Sequence, residues 1–222
     1  TLALDSVKPV VQIQQPLNHS YHKDPVTVMG TITDTSLLEY SVTYTGENGS
    51  VLLDKATQNR ENHAFGILHD LPEGSYTLQV EAIDLGENVT RRNVVFSVDR
   101  TPPQVTLGNP KDGEYYGAEK NAIPISGSLI EKNLETYGLR YGAGDNPAQW
   151  IDLMNGNTVP SNPQLLTWRV GKNDGIPDGL YTLSFYAKDK AGSTAEAKAK
   201  ITIDNTPPDV SVTSPTNGQY IK

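Results

Sequence analysis

The chain has 222 residues, 36% hydrophobic and 20% charged, with 19 glycines, 15 prolines and no cysteine; this is a folded, turn-rich composition, long enough for two cores and without a disulfide framework. A formal net charge of −8 offers no basic face to a phosphate backbone, and no apolar run approaches the ~18 residues of a membrane helix, so neither nucleic acid nor membrane insertion is expected. The acidity is uneven, with 13 acids against 7 bases in residues 1–100 and 12 against 10 in residues 101–205.

The opening "TLALD" has no charged n-region or long apolar stretch, so no signal peptide is expected in it. "PVVQIQQP" (9–16) predicts a first strand, with His19 and His22 in the loop after it. "VTVMGTI" (26–32) and "YSVTY" (40–44) follow as strands, and Phe65 lies in another, flanked by His63 and His69. In "LPEGSYTLQVEAIDLGEN" (71–88), Tyr76, Leu78, Val80 and Ala82 alternate with polar residues, the pattern of a strand with one buried face. The preceding "PEG" is turn chemistry, and "DLG" at Asp84 turns the chain into a last strand, Asn93–Asp99.

The same order then recurs. "PQVTLGNP" (103–110) repeats the first strand at an offset of 94, "IPISGSL" (123–129) and "YGLRY" (137–141) repeat the next two at 97, and "IPDGLYTLSFYAKDKAGS" (176–193) repeats the alternating run at 105. The drift marks insertions of about three and about eight residues, the second around the loop-like "NGNTVPSNPQ" (155–164). In the second copy Tyr181, Leu183, Phe185 and Ala187 alternate with polar residues, and a last strand covers Ala197–Asp204. Each copy ends in Asp-x-Thr-Pro-Pro, "DRTPP" (99–103) and "DNTPP" (204–208). Pro102, Pro103, Pro207 and Pro208 fix φ and restrict the residues before them, which makes a short, semi-rigid joint. The expected fold class is therefore all-β, two tandem antiparallel sandwiches of seven short strands each, over residues 1–100 and 101–205. Residues 206–222 would begin a third copy that breaks off at Tyr220-Ile221-Lys222, as in a piece of a longer chain.

The run "YTLSFYAKDKAGS", followed by a strand and "DNTPP", resembles tandem bacterial immunoglobulin-like domains, the modules strung along large secreted and surface proteins. The resemblance covers nearly the whole chain and implies an extracellular or bacterial cell-surface location. "PEGSY" (72–76) and "PDGLY" (177–181) also resemble the tyrosine corner of immunoglobulin-like sandwiches, which implies that the Tyr76 and Tyr181 phenols bond backbone a few residues upstream. Where antibody domains carry a half-cystine, Leu78 and Leu183 stand here; Val42 and Leu139 replace the strand C tryptophan.

Catalysis is not expected: there is no thiol, no Gly-x-Ser-x-Gly and no phosphate loop. Asp84, Asp99, Asp189 and Asp204 faintly resemble the carboxylates of calcium-binding cadherin junctions. The denser acidic runs of those junctions are missing, and Asp189 lies between Lys188 and Lys190. Turn capping is the expected role, with no metal or other cofactor and calcium as the alternative at those four positions. The histidines form two pairs on different loops, which predicts solvated side chains rather than a zinc site. Trp168 aligns with Phe65 as a core residue. Trp150, with Tyr115 and Tyr116, reads either as sheet-edge packing or as an exposed platform for stacking sugars. The sequons at Asn18, Asn48 and Asn88 fit turns.

The leading functional expectation is a non-catalytic structural and adhesive segment of a large bacterial surface protein. The alternative is an accessory spacer or carbohydrate-binding region of a secreted carbohydrate-active enzyme. The partners would be neighbouring repeats of the same chain and a host-surface protein or glycan, with the 222 residues themselves monomeric.

Overall fold

A strand of alternating apolar and polar residues has one face to bury, and a second sheet is the surface that can cover it. The computed structural model describes residues 5–214 and 217–218. Among the described residues it contains sixteen strands and no helix, so the fold class is all-β. Contacts divide the chain into two units, Thr1–Pro103 with Lys188–Thr194, and Gln104–Ala187 with Ala195–Lys222.

The first repeat runs β1 (Val10–Gln15), β2 (Ser20–His22), β3 (Val26–Thr33), β4 (Leu37–Gly46), β5 (Gly49–Ala56), β6 (Arg60–Leu68), β7 (Gly74–Asp84) and β8 (Val89–Val98). One sheet has the order β1-β3-β6 and the other β2-β8-β7-β4-β5. The second repeat runs β9 (Gln104–Asn109), β10 (Glu114–Tyr116), β11 (Ala122–Ile130), β12 (Leu134–Ala143), β13 (Ile151–Gly156), β14 (Gln164–Arg169), β15 (Gly179–Asp189) and β16 (Thr194–Ile203). Its sheets have the same plan, β9-β11-β14 and β10-β16-β15-β12-β13.

Each repeat thus has eight strands instead of the seven expected, because the first is split. β1 stops before Pro16 and β9 before Pro110, residues with no N–H to continue a ladder. The chain then crosses to the other sheet, where β2 pairs in parallel with β8 and β10 with β16. His22 lies within that short strand, not in a loop.

The cores follow the alternation. Val26, Val28 and Ile32 of β3 face Tyr76, Leu78, Val80 and Ala82 of β7 across one core, with Phe96 and Val98 from β8. Val42, Leu78, Leu139 and Leu183 are all fully buried. Burying such a side chain contributes about 1.5–3 kcal/mol. Two per sandwich are therefore comparable to the about 2–5 kcal/mol of a small-domain disulfide. Packing stands where the bridge would be.

Two details differ from the sequence expectation. In β15 the residues between the apolar ones are also buried, Thr182 at 1% exposure and Ser184 at 0%. Thr182 Oγ1 donates to the Gly144 and Asp145 carbonyls of the loop before β13 at 2.7 and 3.1 Å, and Ser184 Oγ donates to Glu196 Oε1 at 2.5 Å while accepting from Arg140 Nε at 3.2 Å. Alternation there separates an apolar face from a hydrogen-bonded one. Trp168 and Phe65 are both core residues, but they are not equivalent. Trp168 pairs with Ile123, whereas Val26, the counterpart of Ile123, pairs with Leu68. Bulges in both ladders shift the register by residues that a sequence offset does not see.

No strand forms among the described residues after Ile203. β9 is held by antiparallel pairing with β11, whereas residues 209–214 join no ladder among the described residues. Pro215 and Tyr220-Ile221-Lys222, like residues 1–4, lie outside the described residues.

Candidate functional site

The end of each sandwich is organised around its Pro-acid-Gly turn. Gly74 and Gly179 adopt φ of 155° and 150°, where a Cβ is disfavoured, so the turn needs glycine. Two residues on, the Tyr76 hydroxyl donates to the Pro72 carbonyl at 2.8 Å and that of Tyr181 to Pro177 at 2.9 Å. The turn is held rigid, and its acidic residue is presented to the chain leaving the last strand.

That residue clamps the seam. Glu73 Oε1 accepts the Arg100 amide at 2.8 Å and the Thr101 hydroxyl at 2.9 Å. In the second repeat Asp178 Oδ1 accepts the Asn205 amide at 2.7 Å, and its Oδ2 accepts the Thr206 hydroxyl at 2.5 Å. These donors act on the ionised form, so both carboxyls are held below the usual range. For Glu73 the Arg100 amide is the largest cause; for Asp178 it is the Thr206 hydroxyl. Sequence reading passed over Glu73 and Asp178 as generic turn residues. The available signal was an acid at the same offset of 105 as the seam threonine.

The seam aspartates are backbone caps. The Asp99 and Asp204 amides donate to the carbonyls of His22 and Tyr116, each at 2.8 Å. Their Oδ1 atoms accept the Thr101 and Thr206 amides at 3.3 and 3.1 Å. Pro103 is buried, while Pro102, Pro207 and Pro208 are exposed. Asp84 and Asp189 cap the turn after β7 and β15, accepting the amides of Asn88 and Ser193 at 2.8 and 2.7 Å. Asp84 is also brought together with Asp5 and Asp34, one oxygen from each lying within 4.8 Å of the others. Asp5 and Asp34 were not singled out in the sequence, where they sit far from Asp84.

The aromatic trio does not form a platform. Tyr115 is 68% exposed and Tyr116 only 4%, because successive residues of β10 face opposite ways. β10 and β13 are opposite edges of the sheet, and Trp150 immediately precedes β13. The Trp150 ring instead stacks with the Arg140 guanidinium, 4.4 Å from its centroid, and Arg140 also lies 4.6 Å from the Tyr186 ring and 3.1 Å from Glu196. The histidines join no group of three ligand-type residues among the described residues. His22 contacts Ser20 at 2.7 Å and lies edge-on to Phe96, and His63 lies edge-on to Phe65. A cleft of about 180 Å3 opens beside the first tyrosine corner, lined by Tyr44, Val51, Leu71 and Tyr76 among others.

With this geometry in view, the sequence profile described as Bacterial Ig-like domain (group 3) matches residues 60–157 and 167–222. Among solved structures, the fibronectin(III)-like modules of CbhA from Clostridium thermocellum give a TM-score of 0.52 at 14% identity, covering 88% of this chain and 95% of that one. That likeness is one of fold. A tetra-tandem repeat from the extending region of a large adhesion protein gives 0.36 at 18% identity, over 89% of this chain and 49% of that one. A 1.5-MDa bacterial ice-binding adhesin gives 0.40 at 12% identity, over 91% and 67%. No curated protein matches the chain.

Proposed function

The chain belongs to the family of bacterial Ig-like domains (group 3), and on that premise we propose that it is a non-catalytic spacer segment of a large extracellular bacterial adhesive protein. Its immediate partners are the neighbouring repeats of the same chain. The observation that carries the reading is the seam built twice in the same way, a turn acid gripping the backbone and threonine just before two prolines. A catalytic or ligand-binding module has no need to fix the direction in which its chain departs. A spacer does, because its reach depends on each joint keeping its angle.

The test uses the full chain with one cysteine introduced on an exposed strand position of each repeat, at Glu61 and Asp152. The chain has no other thiol, so the pair takes donor and acceptor dyes without competition. Single-molecule energy transfer should give a narrow distance distribution for the parent. Replacing Pro102→Gly and Pro103→Gly together with Thr101→Val should broaden it, since φ freedom returns and the hydroxyl contact is lost. A parent distribution as broad as that of the triple variant would end the spacer reading.

A further inference from the structure

We infer that the cleft beside the first tyrosine corner binds a planar cation, the guanidinium of an arginine side chain presented by a partner protein. The cleft holds about 180 Å3. That is below the roughly 300–1,000 Å3 of sites for drug-sized molecules and suits the head of one side chain. Its lining belongs wholly to the first repeat, with Tyr44, Tyr76, Val51 and Leu71 as the apolar part and Glu47 and Glu73 as the acids. No lysine, arginine or histidine lines it.

The second repeat shows what the same pair of rings accepts. Tyr44 and Tyr76 lie 6.4 Å apart at 56°, and Tyr141 and Tyr181 lie 6.0 Å apart at the same angle. There the chain supplies a flat group of its own, the Trp168 indole, 4.4 Å from Tyr141 and 6.3 Å from Tyr181. In the first repeat Leu68 holds that ladder position, and the place beside the tyrosines is open. Both repeats keep the corner hydrogen bond, so the corner does not require the opening. What fits beside these rings is a flat group that packs against an aromatic side chain.

Charge decides which flat group. Both Glu73 oxygens already accept hydrogen bonds from the seam. Glu47 is exposed in the turn between β4 and β5 and makes no ion pair among the described residues. Its charge reaches the site: burial pushes the Tyr76 phenol up, and Tyr44 and Glu47 push it the same way. Arg100 acts in the opposite direction, but its guanidinium is paired with Asp24 at 3.2 Å. Guanidinium is flat, stacks on aromatic faces and pairs in its plane with a carboxylate, whereas an ammonium is a compact, strongly hydrated point charge. The second repeat contains the complete arrangement on its own surface. Arg140 lies 4.4 Å from the Trp150 ring and 4.6 Å from the Tyr186 ring, with Glu196 at 3.1 Å. The cleft of the first repeat offers the aromatic and carboxylate halves of that arrangement without the arginine.

The test is titration of the full chain with Nα-acetyl-arginine methylamide, followed by amide nuclear magnetic resonance. The same derivatives of lysine and of citrulline, whose planar side chain is neutral, serve as comparisons. The Gly46, Asn48, Gly49 and Gly74 amides should shift together, with half-saturation at about 1–10 mM, the weak range expected of one side chain. Lysine and citrulline should bind about fivefold or more weakly. Glu47→Gln should weaken arginine binding about tenfold, while Glu61→Gln should leave it unchanged. No shift of the cleft amides up to about 50 mM arginine derivative would overturn the inference. So would equal binding of lysine or citrulline, or a Glu47→Gln protein that binds as the parent does. Cleft shifts that follow protein concentration with no probe added would place a second copy of this chain there and overturn the assignment to a partner. The readout is binding and not the joint angle, so its outcome is separate from that of the spacer reading.

Discussion

In the second sandwich the Trp168 ring lies 4.4 Å from Tyr141 and 6.3 Å from Tyr181, filling the core beside the tyrosine corner. In the first, Leu68 holds the same ladder position, and Tyr44 and Tyr76, 6.4 Å apart, border an open cleft. Yet the corner hydrogen bonds differ by only 0.1 Å, at 2.8 and 2.9 Å, and both turn acids clamp the seam. The corner and its clamp are thus set by the Pro-acid-Gly turn and not by how completely the core behind them is filled. Packing density tunes each sandwich's stability, while turn chemistry fixes where its chain exits.

The largest effect expected from this difference is on Trp168→Ala. Removing a buried indole should cost the second sandwich about 3–5 kcal/mol. Calorimetry should show its transition fall while that of the first sandwich stays in place. A common shift of both transitions would mean that the repeats unfold as one unit. Removing the corner hydroxyl is the next largest. Tyr181→Phe should cost about 1–3 kcal/mol, because the Pro177 carbonyl loses its donor under a filled core. Tyr76→Phe should fall at the lower end, about 1 kcal/mol, since water in the open cleft can reach the Pro72 carbonyl. Equal costs in denaturant melts would show that the cleft does not hydrate the corner.

The smallest effect belongs to the clamps. Glu73→Gln and Asp178→Asn should leave both melting transitions nearly unchanged, but hydrogen exchange at the Arg100 and Asn205 amides should quicken. The pH dependence has a definite sign. Both carboxyls are lowered by their donors, so the protection is fully present above the ordinary carboxylate pKa of about 4 and is lost as the pH falls through the lowered folded values. Protection that instead weakened toward alkaline pH would rule out the carboxylates as its source.

Much of this was legible in the residues. The alternation through Tyr76–Ala82 and Tyr181–Ala187 specified strands and their buried faces, and each Asp-x-Thr-Pro-Pro motif follows directly on β8 or β16. The splitting of the first strand was less visible, because Pro16 and Pro110 show where a ladder stops and not which sheet the chain joins next. Trp168 was legible as buried but not as the partner of Tyr141, since bulges moved it three residues from its apparent counterpart. Trp150 was ambiguous in the sequence, and its contact with Arg140 on the neighbouring strand β12 was not visible there.

What the sequence determined alone is therefore what depends on near neighbours: period-two strands, turns that need proline and glycine, and the tandem plan those units repeat. Tertiary structure decided everything that depends on which distant backbones lie side by side. The clamp joins residues 28 apart at Thr101 and Glu73, and the carboxylate cluster joins the segment before β1 to the ends of β3 and β7. Side-chain direction along a strand follows from a two-residue period, but convergence between strands follows from ladder register. Register is a property of the folded pairings, and bulges and loop lengths shift it without leaving a periodic mark on the chain.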